Sequence, residues 1–168
     1  MAAATFEELK KQIEARVKKA LVEDVAEVVK RNESDTIERV VYGVYTPVLY
    51  RRRRDNGGMI DHENMRVNVL DNAIEVYNDT PVTHYFDKVD CSYHCPIKNV
   101  VSLDLLLEYG DGGPGGEYTH KHTSVGEPTF LGPRPFTKET INALKTNKQH
   151  VSALRDGLMR SGAKVKNG

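Results

Sequence analysis

The side chains best suited to chemistry in this chain are Cys91, His94, Cys95, His120 and His122, thiols and imidazoles that together could ligate zinc. A structural zinc site takes two close pairs, each on a tight turn, separated by about two to four residues between cysteines and about three to five between histidines. Cys91 and Cys95 make a wide pair in DCSYHC, whereas His120 and His122 are too close together to complete the pattern. The other reading is two small, half-buried thiols with loop histidines facing water. A disulfide between the two cysteines would close only a tiny loop and would not persist in a reducing cytoplasm. No bound metal or cofactor is therefore expected. A small zinc-binding protein or metal-dependent enzyme using Cys91, His94 and Cys95 is kept as the alternative function.

Other motifs argue against catalysis. GDGGPGGEY, residues 110 to 118, is rich in glycine but lacks the GxxxxGK[ST] spacing, and its glycines follow a helix where a phosphate loop would open one. G-x-S-x-G, H-E-x-x-H and the deaminase H-x-E with P-C-x-x-C are all missing from the sequence. Asp61-His62-Glu63 could supply an acid and a base, but sequence neighbours on one loop are common by chance. The expectation is a protein that is not an enzyme. Arg51, Arg52, Arg53 and Arg54 form a run able to touch nucleic-acid phosphates, which gives a third reading as a DNA-binding accessory protein. A solvated loop, or a loop pairing with acidic residues of a neighbouring chain, explains the run equally well.

These residues must be held by a scaffold whose period is legible. Phe6, Leu9, Ile13, Val17, Leu21, Val25 and Val28 recur at steps of three or four, predicting an amphipathic helix from Phe6 to about Arg31, roughly 39 Å long. Thr5 with Glu8 makes a capping box at its start, and Asn32 is the expected stop. A second helix is predicted from Asp35 to about Tyr42, ended by Gly43 and Thr46-Pro47. Residues 51–63 read as a long loop. Two runs, Arg66 to Leu70 and Ala73 to Tyr77, flank Asp71-Asn72 and predict a hairpin. A strand is expected near His84 to Phe86, and a helix from Asn99 through Leu107 to a stop at Gly110. Residues 110–132 read as a second long loop with a strand near Tyr118 to His122, after which Thr137 caps a helix continuing to Gly162. The fold class is α+β: a long N-terminal helix on a small antiparallel sheet, with further C-terminal helices, in one domain spanning 1–168.

With 168 residues, 39% apolar and 29% charged, the chain can bury an ordinary core without staples. No run approaches the roughly 18 apolar residues of a membrane span, and the N-terminus does not resemble a secretory signal, so no membrane partner and synthesis in a cytoplasm are expected. Net charge is zero but segregated: residues 55–130 carry four basic against thirteen acidic groups, and residues 131–168 carry eight against two. A general nucleic-acid binder would be basic throughout, so this pattern better suits a protein whose faces meet different partners.

The landmarks VYGVYTPVLYRRR, DNGGMIDHENM, the hairpin, LLLEYG, a glycine-rich loop, GPRPFTKETI and LRDGLMRSG occur in that order. Together they resemble the small neck or tail-completion proteins of long-tailed bacteriophages, over roughly residues 6 to 162. Two features depart from the family: the long insertion from Asp111 to Thr129 and the Cys91-His94-Cys95 turn. Pro133 and Pro135 stiffen the approach to the last helix, and Phe136 reads as an apolar anchor beside it. The resemblance implies a virion subunit made in the bacterial host cytoplasm, forming a sixfold or twelvefold ring at the head-to-tail interface. Its implied partners are copies of itself, connector or head-closure proteins, tail-tube or tail-terminator proteins, and the phage DNA in the channel. Arg51 to Arg54, Arg134 and Phe136 are then the expected interface or channel residues.

Overall fold

Thr5 opens the longest element as its chemistry predicts. Its hydroxyl accepts from the Glu8 amide at 3.2 Å while its own amide donates to the Glu8 carboxylate at 2.7 Å, so two of the helix's orphan donors are satisfied. The computed structural model describes residues 5–44, 53–80, 107–108 and 133–165. Helix α1 (Phe6–Ala20) carries Glu7 and Glu8 in its first turn and Lys18 and Lys19 in its last, matching the helix dipole. It runs through a wider π-helical stretch, Leu21–Val25, into α2 (Ala26–Ile37) and a second such stretch, Glu38–Tyr42. The continuous rod from Phe6 to Tyr42 is roughly 55 Å long. It ends at Gly43, whose amide donates to the Glu38 carbonyl at 2.8 Å.

The expected break after Asn32 is thus replaced by unbroken helix, for a tertiary reason. Asn32 is buried, and its amide nitrogen donates to the Val28 carbonyl at 2.8 Å and to Gln149 at 3.0 Å. Its side-chain oxygen accepts from Asn147 at 2.9 Å. With its side chain committed in this way, Asn32 no longer competes for the backbone groups that would end a helix.

Strands β1 (Met65–Val69) and β2 (Ile74–Asn78) pair antiparallel, with Met65 opposite Asn78 and Val69 opposite Ile74. The Leu70 amide closes the turn on the Ala73 carbonyl at 2.9 Å. The fold is α+β, as its residue periods indicate. Helices α3 (Phe136–Asn147) and α4 (Gln149–Arg160) replace the single C-terminal helix expected, because Lys148 takes a left-handed conformation (φ 52°) and turns the chain between them. Thr137 is not the cap: α3 begins one residue earlier, and the Thr137 amide donates to the Glu108 carboxylate at 2.9 Å.

Two regions of packing hold these parts. Ile37, Val41, Met59, Met65, Leu107 and Phe136 form the main core, where the end of the rod, the loop before the hairpin and the start of α3 meet. Farther back, α4 lies against Leu21–Val25, with Ala20, Val25, Ala26 and Gly157 buried. A side chain at Gly157 would meet the Asp24 carboxyl and, at 2.9 Å, the Ala20 Cβ, so this close crossing requires glycine. Arg160 pairs with Asp24 beside it. The expected apolar stripe on the first helix therefore divides: from Ala20 onward it is covered, while Phe6, Leu9 and Ile13 stay exposed. The strands expected at 84–86 and 118–122, the loop 110–132 and most of the helix from Asn99 lie outside the described residues; Leu107 and Glu108 are helical.

Candidate functional site

Residues from four of the ordered sequence landmarks meet in space at the far end of the rod. Val41 and Tyr42 come from the first, Met59 and Asp61 from the second, Leu107 from the fourth and Phe136 from the sixth. Each motif has a mechanical reason. Gly57 sits at φ +79°, where side chains are strained, and a Cβ on Gly58 would collide with the Arg54 backbone. Met59 can then turn inward to 1% exposure, with its amide donating to the Tyr42 hydroxyl at 3.2 Å. Asp61 ties the loop from within, its carboxylate accepting from the Gly57 amide at 2.7 Å and the Glu63 amide at 3.0 Å. Those two amides, Glu63 first, hold the Asp61 carboxyl below its ordinary range, helped by neighbouring His62 and opposed by burial.

The same end of the rod places part of the arginine run. Arg54 is exposed, donates to the Glu38 carboxylate at 2.7 Å and lies 5.7 Å over the Tyr42 ring. One-sided exposure of this kind leaves its charge available to solvent while its position is fixed. Arg53 is half-buried in the same turn, and Arg51 and Arg52 lie outside the described residues. Arg134 belongs to the joint: its amide donates to the Leu107 carbonyl at 2.8 Å and its guanidinium to the Val41 carbonyl at 3.4 Å. Phe136, expected as an interface or channel residue, is at 2% exposure a core anchor of the chain itself.

A buried polar cluster escaped sequence reasoning. Asn78 at the end of β2 donates to the Met59 carbonyl at 2.8 Å and to Glu33 at 3.3 Å, and Thr80 donates to the Asn78 side-chain oxygen. These bonds lock the hairpin's base to the rod and to the glycine loop. The only hint in the sequence was the polar residue closing an apolar strand pattern at Asn78.

Among the described residues, no group of three or more His, Cys, Asp or Glu is arranged to hold a metal ion. Cys91, His94, Cys95, His120 and His122 lie outside the described residues. Within the described residues no helix is long and apolar enough to cross a membrane. The chemistry this arrangement supports is positional: a rigid joint at one end of a long helix, with one fixed exposed cation, Arg54, and an apolar helical arm at the other. A family model described as YomN matches residues 5–160, almost the whole chain. No curated protein and no solved structure matches it.

Proposed function

The chain belongs to the YomN family, which is phage-derived, and from that premise we propose that it is a structural virion protein of a tailed phage. It forms a homo-oligomeric ring at the head-to-tail interface, as a neck or tail-completion subunit, and performs no catalysis. Connector or head-closure proteins lie on one side of the ring, tail-tube or tail-terminator proteins on the other, and DNA passes through it.

The observation that carries this reading is the division of the long rod. Its second half is locked into a core by the residues of the landmark motifs, while its first turns present Phe6, Leu9 and Ile13 to solvent. An apolar helical face of this kind marks an interaction surface. Charge segregation supports the same reading, since a ring of identical chains brings one face of a subunit against a different face of the next.

The decisive experiment is removal and replacement of the gene during phage growth, followed by electron microscopy of the lysate and mass spectrometry of purified virions. Filled heads and separate tails should accumulate without the protein, joined particles should return with it, and the chain should be found in virions. Normal yields of joined, infectious particles in its absence would overturn the proposal.

A further inference from the structure

Asn56-Gly57 joins an asparagine, a chemically labile residue, to the following residue that lets its side-chain amide be lost most easily. The reaction needs no enzyme. The Gly57 backbone nitrogen, on losing its proton, attacks the Asn56 Cγ; the N–Cγ bond forms, the Cγ–Nδ2 bond breaks, and ammonia leaves with the proton. Water then opens the five-membered ring at either carbonyl, giving aspartate or isoaspartate. Glycine favours the first step because it has no Cβ to obstruct the nitrogen and turns through conformations closed to other residues.

Asn56 is exposed, in the loop that sends Met59 into the core. Its amide donates to the Arg53 carbonyl at 2.9 Å and its Nδ2 to the Asp55 carboxylate at 3.1 Å, and neither bond engages the Gly57 nitrogen. By exposure and sequence alone this is a reactive pair.

The attacking atom, however, is held. The Gly57 amide donates to Asp61 Oδ2 at 2.7 Å, and Asp61 Oδ1 accepts from the Glu63 amide at 3.0 Å, so the carboxylate cannot swing away without breaking a second bond. Bonds of this length to an ionised acceptor are among the stronger ones. The carboxylate acts twice. It keeps the proton on the nitrogen, and it sets a negative charge beside an atom that must itself become negative, an arrangement of like charges that disfavours ionisation. Because the Asp61 carboxyl lies below its ordinary range, that charge is present at the neutral and alkaline pH where the reaction runs.

The structure assigns Asn56 as a latent deamidation site and Asp61 as the residue that keeps it shut. Opening it would harm the joint. Isoaspartate adds a methylene to the main chain, and either product adds a carboxylate near Asp55 and Asp61, beside Gly58, where even a Cβ would strike the Arg54 backbone. The inference stands apart from the virion reading.

The test follows the full chain, folded in neutral buffer and unfolded in guanidinium chloride, by trypsin digestion and mass spectrometry. Cleavage after Arg54 and Arg66 releases residues 55–66 as one peptide, in which replacement of an amide NH2 by OH is read as a mass shift and fragmentation separates Asn56 from Asn64. Folded wild type should lose the Asn56 amide at least about tenfold more slowly than the unfolded chain, the factor carried by one hydrogen bond to a charged group. Asp61→Ala, its fold checked by circular dichroism, should recover most of that factor in native buffer. Asn64→Ala removes a different bond of the loop, to the Gly58 carbonyl at 2.9 Å, and should leave the rate near that of the wild type. Equal rates in folded and unfolded wild type would overturn the proposal without any variant, and this comparison decides alone if Asp61→Ala does not fold. A folded Asp61→Ala that reacts as slowly as the wild type, or an Asn64→Ala that reacts as fast as Asp61→Ala, would overturn it by assigning protection to the stiffness of the loop. Slower reaction in Asp61→Ala would also overturn it, by showing that the carboxylate serves the Gly57 nitrogen as a base.

Discussion

Asp61 shows how single residues in this protein serve position. Its carboxylate gathers the Gly57 and Glu63 amides, so the charged form is favoured in the folded state and its pKa lies below the ordinary value of about 3.9. A depressed pKa contributes stability that is fully present above the unfolded value and is lost as pH falls through the folded one. Asp61→Asn should therefore cost about 1 kcal/mol near neutral pH, and its melting temperature should converge with that of the wild type as the solution is acidified through and below the ordinary carboxylate range. A difference that stayed constant with pH would assign the effect to shape alone. Gly157 offers a second test with an unusual sign. Gly→Ala inside a helix ordinarily stabilises by about 0.5–1 kcal/mol. Here the added methyl would strike Asp24 and Ala20, so Gly157→Ala should destabilise by about 1–3 kcal/mol in chemical denaturation.

At the level of elements, the rod is one helix with two environments. Ile37 is fully buried in the core, so Ile37→Ala should cost about 3 kcal/mol, whereas Ile13→Ala on the exposed arm should change chemical unfolding of the isolated chain by less than about 0.5 kcal/mol. Equal losses would show that the arm is covered. The start of the rod and the hairpin were legible because their signals are local: a capping box needs only Thr5 and Glu8, and a tight turn only Asp71-Asn72 between alternating runs. The end of the rod was not, because Asn32 is held by Gln149, 117 positions away. Nor does anything local announce the break at Lys148, since lysine carries no special preference for the left-handed conformation it adopts there. For the site, the arginine run and PRPF were visible, but their roles were set by distant partners. Glu38 and Tyr42 fix Arg54, and burial against Met59, Met65 and Leu107 turns Phe136 from an interface residue into a core residue.

For the whole molecule, the basic C-terminal helices carry the last prediction. Lys145 on α3 and Arg155 on α4 are exposed, and exposed charges contribute little to the stability of an isolated chain because water screens them and long side chains resist ordering. Lys145→Glu combined with Arg155→Glu should accordingly leave the melting temperature within a few degrees of the wild type. Their surroundings change in the proposed assembly, where a basic face meets either an acidic face of the next copy or the phosphates of DNA in the channel. Reversal then replaces attraction by repulsion, and a closed ring repeats the penalty at every interface, so even about 1 kcal/mol per contact weakens closure strongly. The measurement is complementation of a phage lacking the gene, counting joined particles by electron microscopy at low and high salt. Joining should fall with the variant and recover in part at high salt, because screening relieves like-charge contact. Wild-type numbers of joined particles at low salt would remove these two side chains from the interface, and a salt-insensitive loss would place their role in packing.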